Sequence, residues 1–142
     1  MNKDFPQYFA EAFAALNKDN LASMADFYHA DLHFTDPLHE VVGLDAMTHY
    51  CAQLYENVTS IHFDFQQIDV IAEGEAVLRW VMTYQHPRLK SGQPIAVPGC
   101  SFIAYRDDKV YRHRDYYDAG ALLYEHIPLF GSLIQWLKRR LA

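Results

Sequence analysis

Three side chains able to give, take or hold a proton alternate along one short segment: His113, Asp115 and Tyr117. The segment 110–117 follows Asp107-Asp108, a tight-turn pair, and reads as a β-strand. Alternation with period two puts the three on one face. An imidazole, a carboxylate and a phenol on one wall can serve as base, acid and oxyanion donor. In an apolar recess a carboxylate is a stronger base than in water, which suits proton abstraction beside a carbonyl. Two other arrangements stay open on the residues alone. Asp115 can be a structural ion-pair partner of Arg112, Arg114 or Arg79. If the strand is turned the other way, Arg112 and Arg114 line the recess and favour an anionic ligand.

Asp36 is the second acid of interest. It follows the short strand 32–35 and precedes Pro37, which holds it extended. It reads either as a carboxylate at the rim of a recess or as a turn residue whose oxygen caps nearby amides. Tyr117, Trp80, Tyr8, Tyr50 and His39 are the candidate ligand contacts, with Asp115, His113 and Asp36 the candidate catalytic groups. Trp80 and Tyr116 also fit a core role, since large aromatics mostly supply buried area. Asp118, at the end of the same strand, reads as a helix N-cap.

The eight histidines raise the question of a metal. There is no His-Glu-x-x-His and no Cys-x-x-Cys; His86, His113 and Asp115 are the one combination of neighbouring strands to weigh as a triad. No metal and no cofactor is expected. Gly-rich phosphate loops and a Gly-x-Ser-x-Gly elbow are also lacking, which argues against nucleotide binding and covalent catalysis.

These groups need elements to hold them. Phe5, Tyr8, Phe9, Ala12, Phe13 and Leu16 recur at helical spacing and make one face of 5–17 apolar, with Asp4 as N-cap and Pro6 in the first turn. Asn20 opens a second short helix that carries Leu21, Met24, Phe27 and Tyr28 inward. After the strand 32–35, residues 39–42 form another, and 44–58 a third helix. From residue 61 the period changes to two. Strands are predicted over 61–71, 76–86, 95–105 and 110–117, joined by short turns and therefore antiparallel. Helical spacing returns at 119–126, is interrupted at Pro128, and resumes with Leu129, Phe130, Leu133, Ile134, Leu137 and Leu141. Lys138, Arg139 and Arg140 close that helix, where cations are favoured.

Segregated helices and strands predict an α+β fold, a cone-shaped barrel in which a strongly curved antiparallel sheet wraps the N-terminal helices and leaves an open end. The 142 residues, 51% hydrophobic and 15% aromatic, suit one domain with a real core and exclude a disordered chain. Twelve basic against eighteen acidic residues argue against nucleic acid as a partner. Cys51 and Cys100 are expected as buried thiols, and no leader or membrane span is visible, so a soluble cytoplasmic protein is expected.

Phe34-Thr35-Asp36-Pro37, Gly43-Leu44-Asp45 opening a helix, and Val110 through Asp118 with Arg114-Asp115-Tyr116-Tyr117-Asp118 together resemble the nuclear transport factor 2-like superfamily. Within it the chain is similar to the SnoaL-like, polyketide cyclase-like group, relatives of ketosteroid isomerase, scytalone dehydratase and limonene epoxide hydrolase. The resemblance covers about residues 5–120; the last helix looks like an extension found in some bacterial members. It implies a cystatin-like cone, an acid/base role for the aspartate at position 115, an acid near position 36 and a homodimer formed through the outer face of the sheet. It departs at Asp108, where many relatives have glycine, which implies a different turn. Three functions follow as expectations. The first is cofactor-independent isomerase, cyclase, dehydratase or hydrolase chemistry on a small apolar carbonyl- or ring-bearing molecule. The second is a non-catalytic ligand-binding module. The third is an interaction protein that docks its last helix on a partner or an anionic membrane surface; packing across the barrel or at a dimer interface is the simpler expectation, because a basic cluster of three is short for membrane recruitment.

Overall fold

Phe5, Phe9 and Phe13 lie one turn apart, and helix α1 (Phe5–Ala14) buries all three with Pro6 and Ala10. The computed structural model describes residues 4–127 and 130–141. The second predicted helix is shorter and tighter, a 3₁₀ turn over Leu21–Asp26. Asn20 does not cap it; its side chain instead accepts from the Asn17 amide and donates to the Ala15 carbonyl, closing the preceding loop. Tyr28, expected on that helix, is the first residue of strand β1 (Tyr28–Thr35). The apolar run Leu21, Met24, Phe27 mimics helical spacing, but strand pairing claims the chain from Tyr28 onward.

Strand β2 (Glu40–Val42) and helix α2 (Leu44–Asn57) follow, the latter burying Met47 and Cys51. Then come the long strands β3 (Ser60–Ala72), β4 (Glu75–Gln85), β5 (Ile95–Arg106) and β6 (Lys109–Tyr117). They make one curved sheet of order β2-β1-β6-β5-β4-β3, which does not close on itself. The hairpin-linked pairs are antiparallel, as short turns require. The β1–β6 pair is parallel, which corrects the all-antiparallel expectation. About 75 residues of other elements lie between those two strands, ample for a parallel crossover.

Parity along β4 is clean. Ala76, Leu78, Trp80, Met82 and Tyr84 face the concave side; Val77, Arg79, Val81 and Thr83 face out. In β6 the ladder to β5 shifts at Tyr111, so that Val110 and His113 both point inward. That bulge sets which face lines the cone, because one extra residue exchanges the two faces. Arg112, Arg114 and Tyr116 are exposed on the convex side, and Tyr116 is therefore not a core residue. Cys51 is buried, but Cys100 is only half-buried on the outer face; both are free thiols. Asp107 and Asp108 both adopt left-handed backbone, φ 53° and 56°, between the paired Arg106 and Lys109. Asp108 thus adopts the positive φ of a two-residue primed turn, a geometry that aspartate tolerates and glycine favours.

Asp118 caps helix α3 (Ala119–Leu122), its carboxylate accepting from the Gly120 and Ala121 amides. Helix α4 (Phe130–Leu141) ends the described chain. Pro128 and Leu129, expected to break and restart the helical pattern, lie outside the described residues, as do Met1–Lys3 and Ala142. Two apolar clusters fill the concave side. One joins α1, β1 and α2 to Ala76, Leu78, Ile103, Tyr105 and Val110; the other holds Trp80, Met82, Tyr84, Ile95 and Val97 nearer the open end.

Candidate functional site

Between the two clusters lies a cavity of about 160 Å³. Its lining includes Phe13, Phe34, Tyr55, Phe63 and Trp80, with Asp36 and Asp115 as carboxylates. Tyr50, Tyr117 and His39 also border it. Of the residues singled out from the sequence, Tyr8 is not among the lining; it is exposed on the outer side of α1. His113 is 2% exposed and stands behind Asp115 rather than on the cavity surface.

The register across three strands builds the site around Asp115. Ser101 on β5 lies directly opposite Asp115 on β6. Gly99 lies opposite Trp80 on β4, which lets the indole cross over it toward Ser101. Phe34 on β1 pairs with His113 and turns its ring edge-on to the imidazole, 5.0 Å between centroids. The result is a chain of hydrogen bonds. Trp80 Nε1 donates to Ser101 Oγ at 2.9 Å, and Ser101 donates to Asp115 Oδ1 at 2.5 Å. His113 Nε2 lies 2.7 Å from the same Oδ1, and its Nδ1 lies 2.7 Å from the Tyr28 hydroxyl.

Donor directions follow from the chemistry of the partners. Trp80 can only donate, so Ser101 spends its own proton on Asp115. An ionised carboxylate only accepts, so His113 Nε2 carries a proton and Nδ1 accepts from Tyr28. Both branches therefore end on Asp115 Oδ1. Asp115 is 15% exposed and makes no ion pair with Arg79, Arg112 or Arg114. Arg79 bonds Gln67 and Arg112 pairs with Glu75, both on the convex face, so the structural ion-pair alternative is not realised. His86, weighed for a metal triad, accepts from the Arg88 amide in the loop after β4.

Asp36 is used differently. Its Oδ1 accepts from the Leu38 and His39 amides, the turn-capping arrangement, while Oδ2 accepts from the Tyr50 hydroxyl at 3.0 Å. The His39 ring lies 3.3 Å from both groups. Asp36 thus holds Tyr50 at the cavity wall.

Sequence reasoning missed Tyr28 and Ser101. Neither carries a motif; only the parallel β1–β6 pairing and the β5–β6 register bring them to His113 and Asp115. Gly99 is the one local signal, a glycine inside a strand, which marks close approach of another group. A Cβ there would collide with the Trp80 indole. Gly99→Ala is expected to cost about 1–3 kcal/mol by overpacking. Loss of the Trp80–Ser101 bond should appear as a changed near-ultraviolet circular dichroism band.

Burial raises several acids on the cavity side. The Tyr28 hydroxyl is held well above its ordinary range by burial, then by the negative charges of Cys51, if ionised, and Asp115. Tyr50 rises through burial and the Asp36 carboxylate beside it, and Tyr55 through burial. The Cys51 thiol is pushed up to about 12 by burial and the charge of Asp115. Each group keeps its proton longer in the folded state than in the unfolded chain. Their contribution is complete below the unfolded values, about 8.5 for cysteine and about 10 for tyrosine, and is lost as pH rises above them. The melting temperature is therefore expected to be level from pH 7 to 8 and to fall steeply above pH 10, with a smaller fall in Tyr28→Phe. A melting temperature unchanged to pH 11 would refute the burial of these groups.

Comparisons with known proteins agree with this architecture. No functionally curated protein is similar enough in sequence to match. A protein of ketosteroid isomerase-like fold from Catenulispora acidiphila DSM 44928, solved with trimethylamine, superposes with a TM-score of 0.72 at 17% identity, over 87% of this chain and 92% of its own. TerC, solved with polyporic acid, gives 0.71 at 12% identity over 84% and 95%. A candidate SnoaL-like polyketide cyclase from Shewanella putrefaciens CN-32 gives 0.70 at 16% identity over 86% and 95%. At such identities these likenesses establish the fold. The sequence itself matches the SnoaL-like domain over residues 9–113, from the core of α1 to the buried histidine of β6, and the chain belongs to that family.

Proposed function

We propose that the cavity binds a small, apolar, carbonyl- or ring-bearing molecule and that the protein performs cofactor-independent proton transfer on it, with Asp115 as the base. The observation that supports this most is the asymmetry of Asp115. One oxygen is tied by His113 and Ser101, while the residue borders a largely apolar cavity. Fixed donors on one oxygen orient the other toward a bound molecule at no reorganisation cost during reaction. His113 and Ser101 act through Asp115 as positioning residues. Tyr50, held by Asp36, and Tyr117 are the phenols at the wall available to a developing oxyanion.

Size narrows the class. An apolar protein cavity of ~150 Å³ accepts a guest the size of benzene. Relatives of this fold hold ligands as different as trimethylamine and polyporic acid, so the lining, not the fold, selects the guest. Here a single ring bearing one carbonyl fits. The convex face, where the exposed rings of Phe102 and Tyr116 meet edge to face at 5.6 Å, is the surface proposed for pairing two copies.

The test is deuterium exchange from D₂O at the carbons beside the carbonyl of 2-cyclohexenone, followed by proton NMR. Protein-dependent exchange supports the reading. If the ketone perturbs amide signals of the cavity residues without exchange, the protein is a binding module. Absence of both effects across cyclic ketones of this size overturns the proposal.

A further inference from the structure

The charge of the cavity is decided by a residue that does not line it. Tyr28, at the start of β1, is 1% exposed, with its ring against those of Phe9, Phe27 and His113. Among the described residues its hydroxyl has one partner, His113 Nδ1, at 2.7 Å. His113 has three forms, and the phenol separates them. In the neutral form protonated at Nε2, Tyr28 donates to Nδ1 and Nε2 donates to Asp115, so every proton has an acceptor. In the neutral form protonated at Nδ1, a bare Nε2 would face the carboxylate at 2.7 Å. In the imidazolium both ring nitrogens donate, so Tyr28 must accept, and its own proton is stranded in a buried site. A buried donor without an acceptor is strongly disfavoured. Tyr28 therefore holds His113 in the neutral Nε2–H form. The ring gives Asp115 a hydrogen bond without giving it a positive charge.

No other described group on the cavity wall neutralises Asp115. The lining contains no lysine and no arginine. Arg79, Arg112 and Arg114 are exposed on the convex face. His39 is half exposed and stands 3.3 Å from the carboxylate of Asp36, so any charge it carries belongs to that pair. Burial holds the Tyr50 and Tyr55 phenols and the Cys51 thiol in their protonated, neutral forms. The face that β6 turns inward thus sets the sign of the site. Arginines on the inner face would have made it a site for anions. With His113 and Asp115 inward it keeps one negative charge in largely apolar surroundings, where charges are screened least.

We infer that the cavity selects its guest by charge and takes a single-ring molecule that bears an ammonium group, with Tyr28 as the positioning residue that leaves the Asp115 charge free to receive it. The inference rests on the proposed function only in placing the guest in this cavity. A carboxylate of the same shape is rejected, because it would bring a second negative charge beside the first. The nitrogen also has a use in the proposed reaction. When Asp115 takes a proton from the carbon beside the carbonyl, the electron pair of that C–H bond stays on the guest as an enolate. An ammonium group on the same ring offsets the charge that forms there.

Binding of cyclohexylammonium and of cyclohexanecarboxylate to the full chain would be followed at neutral pH by the amide NMR signals of the cavity residues. The ammonium should bind at least about a hundredfold tighter, as expected for unlike against like charge beside one partly buried carboxylate. Asp115→Asn keeps an acceptor for His113 and Ser101 and should cut that preference to about tenfold or less. Nitrogen-15 NMR reads the imidazole directly. In the parent His113 should show a protonated Nε2 and a bare Nδ1, and the Nδ1 signal should move in Tyr28→Phe, which removes its donor. Equal or tighter binding of the carboxylate overturns the inference. So does failure of the ammonium to bind, a His113 of the parent protonated at both nitrogens, or an Nδ1 signal that ignores the loss of the phenol. None of these readouts depends on catalysis. Exchange of 2-cyclohexenone without binding of the ammonium removes this inference and leaves the proposed reaction; binding of the ammonium without exchange does the reverse.

Discussion

Asparagine at position 115 is expected to slow the proposed proton transfer by about 10²–10⁴-fold while leaving the melting temperature within about 2 °C of the parent. The two halves of that expectation come from the same geometry. An asparagine Oδ1 can still accept from His113 Nε2 and from Ser101 Oγ, the two bonds that Asp115 Oδ1 makes now. The Nδ2 that replaces the second oxygen cannot take a proton. On the proposed function, binding is retained and the base is lost. Asp115→Leu makes the contrast, since it strands two buried donors at about 1–3 kcal/mol each. Exchange kinetics and thermal melts of the three proteins separate the roles. A fall of several degrees in Asp115→Asn, with unchanged exchange, would make Asp115 a structural residue.

The alternation of His113, Asp115 and Tyr117 was legible because a strand has a fixed period. Which face that period turned inward was not. The decision lies in the bulge at Tyr111, which brings Val110 and His113 to the same side. A bulge is an extra residue in one strand relative to its partner, so it exists only in the pairing. The same holds for Tyr28 and Ser101. Both sit next to His113 through contacts 85 and 12 residues apart in sequence. Local pattern carries no information on such contacts, and Tyr28 even continues an apolar spacing that suggests helix.

Turn chemistry was the more reliable guide. Asp118 reads as a helix cap from its position, and it is one. The two readings of Asp36, turn residue and rim carboxylate, are compatible in the fold. One oxygen closes the turn and the other reaches Tyr50 at the cavity. The turn-closing bonds of Asp118 and Asp36 span at most three residues, so the sequence shows those partners, whereas Asn20, read as a cap, reaches back to Ala15. The last helix illustrates the opposite limit. Its amphipathic pattern is plain in the sequence, but amphipathicity does not say which face meets the protein. That was set by one carboxylate, Glu125, which gathers Gln135 and Lys138 and so turns the apolar stripe outward.

Phe9→Ala is expected to be the most destabilising single change near the site, at about 3–5 kcal/mol. Phe9 is fully buried, on the face of α1 that plugs the cone. Its ring lies edge-on to Phe27, Tyr28 and His113, with centroids 5.4, 5.6 and 5.8 Å away. Truncation leaves a void beside the two residues that hold Asp115 from behind. Two of its walls, Tyr28 and His113, are strand residues fixed by the sheet ladder, so they relax little and most of the cavity cost remains. At about 3–5 °C per kcal/mol for a chain of this size, the melting temperature should fall by roughly 10–20 °C. Tyr8→Ala on the outer side of the same helix removes a ring of similar size from a position 40% exposed and should cost about 1 kcal/mol. Calorimetric melts of the pair therefore measure how far α1 acts as a plug and not merely as a covering helix. Phe9→Leu keeps most of the volume and should recover the larger part of the loss. If Phe9→Ala melts within 3 °C of the parent, the packing that orients His113 does not come from α1, and the rigidity argued for Asp115 must have its source in the sheet alone.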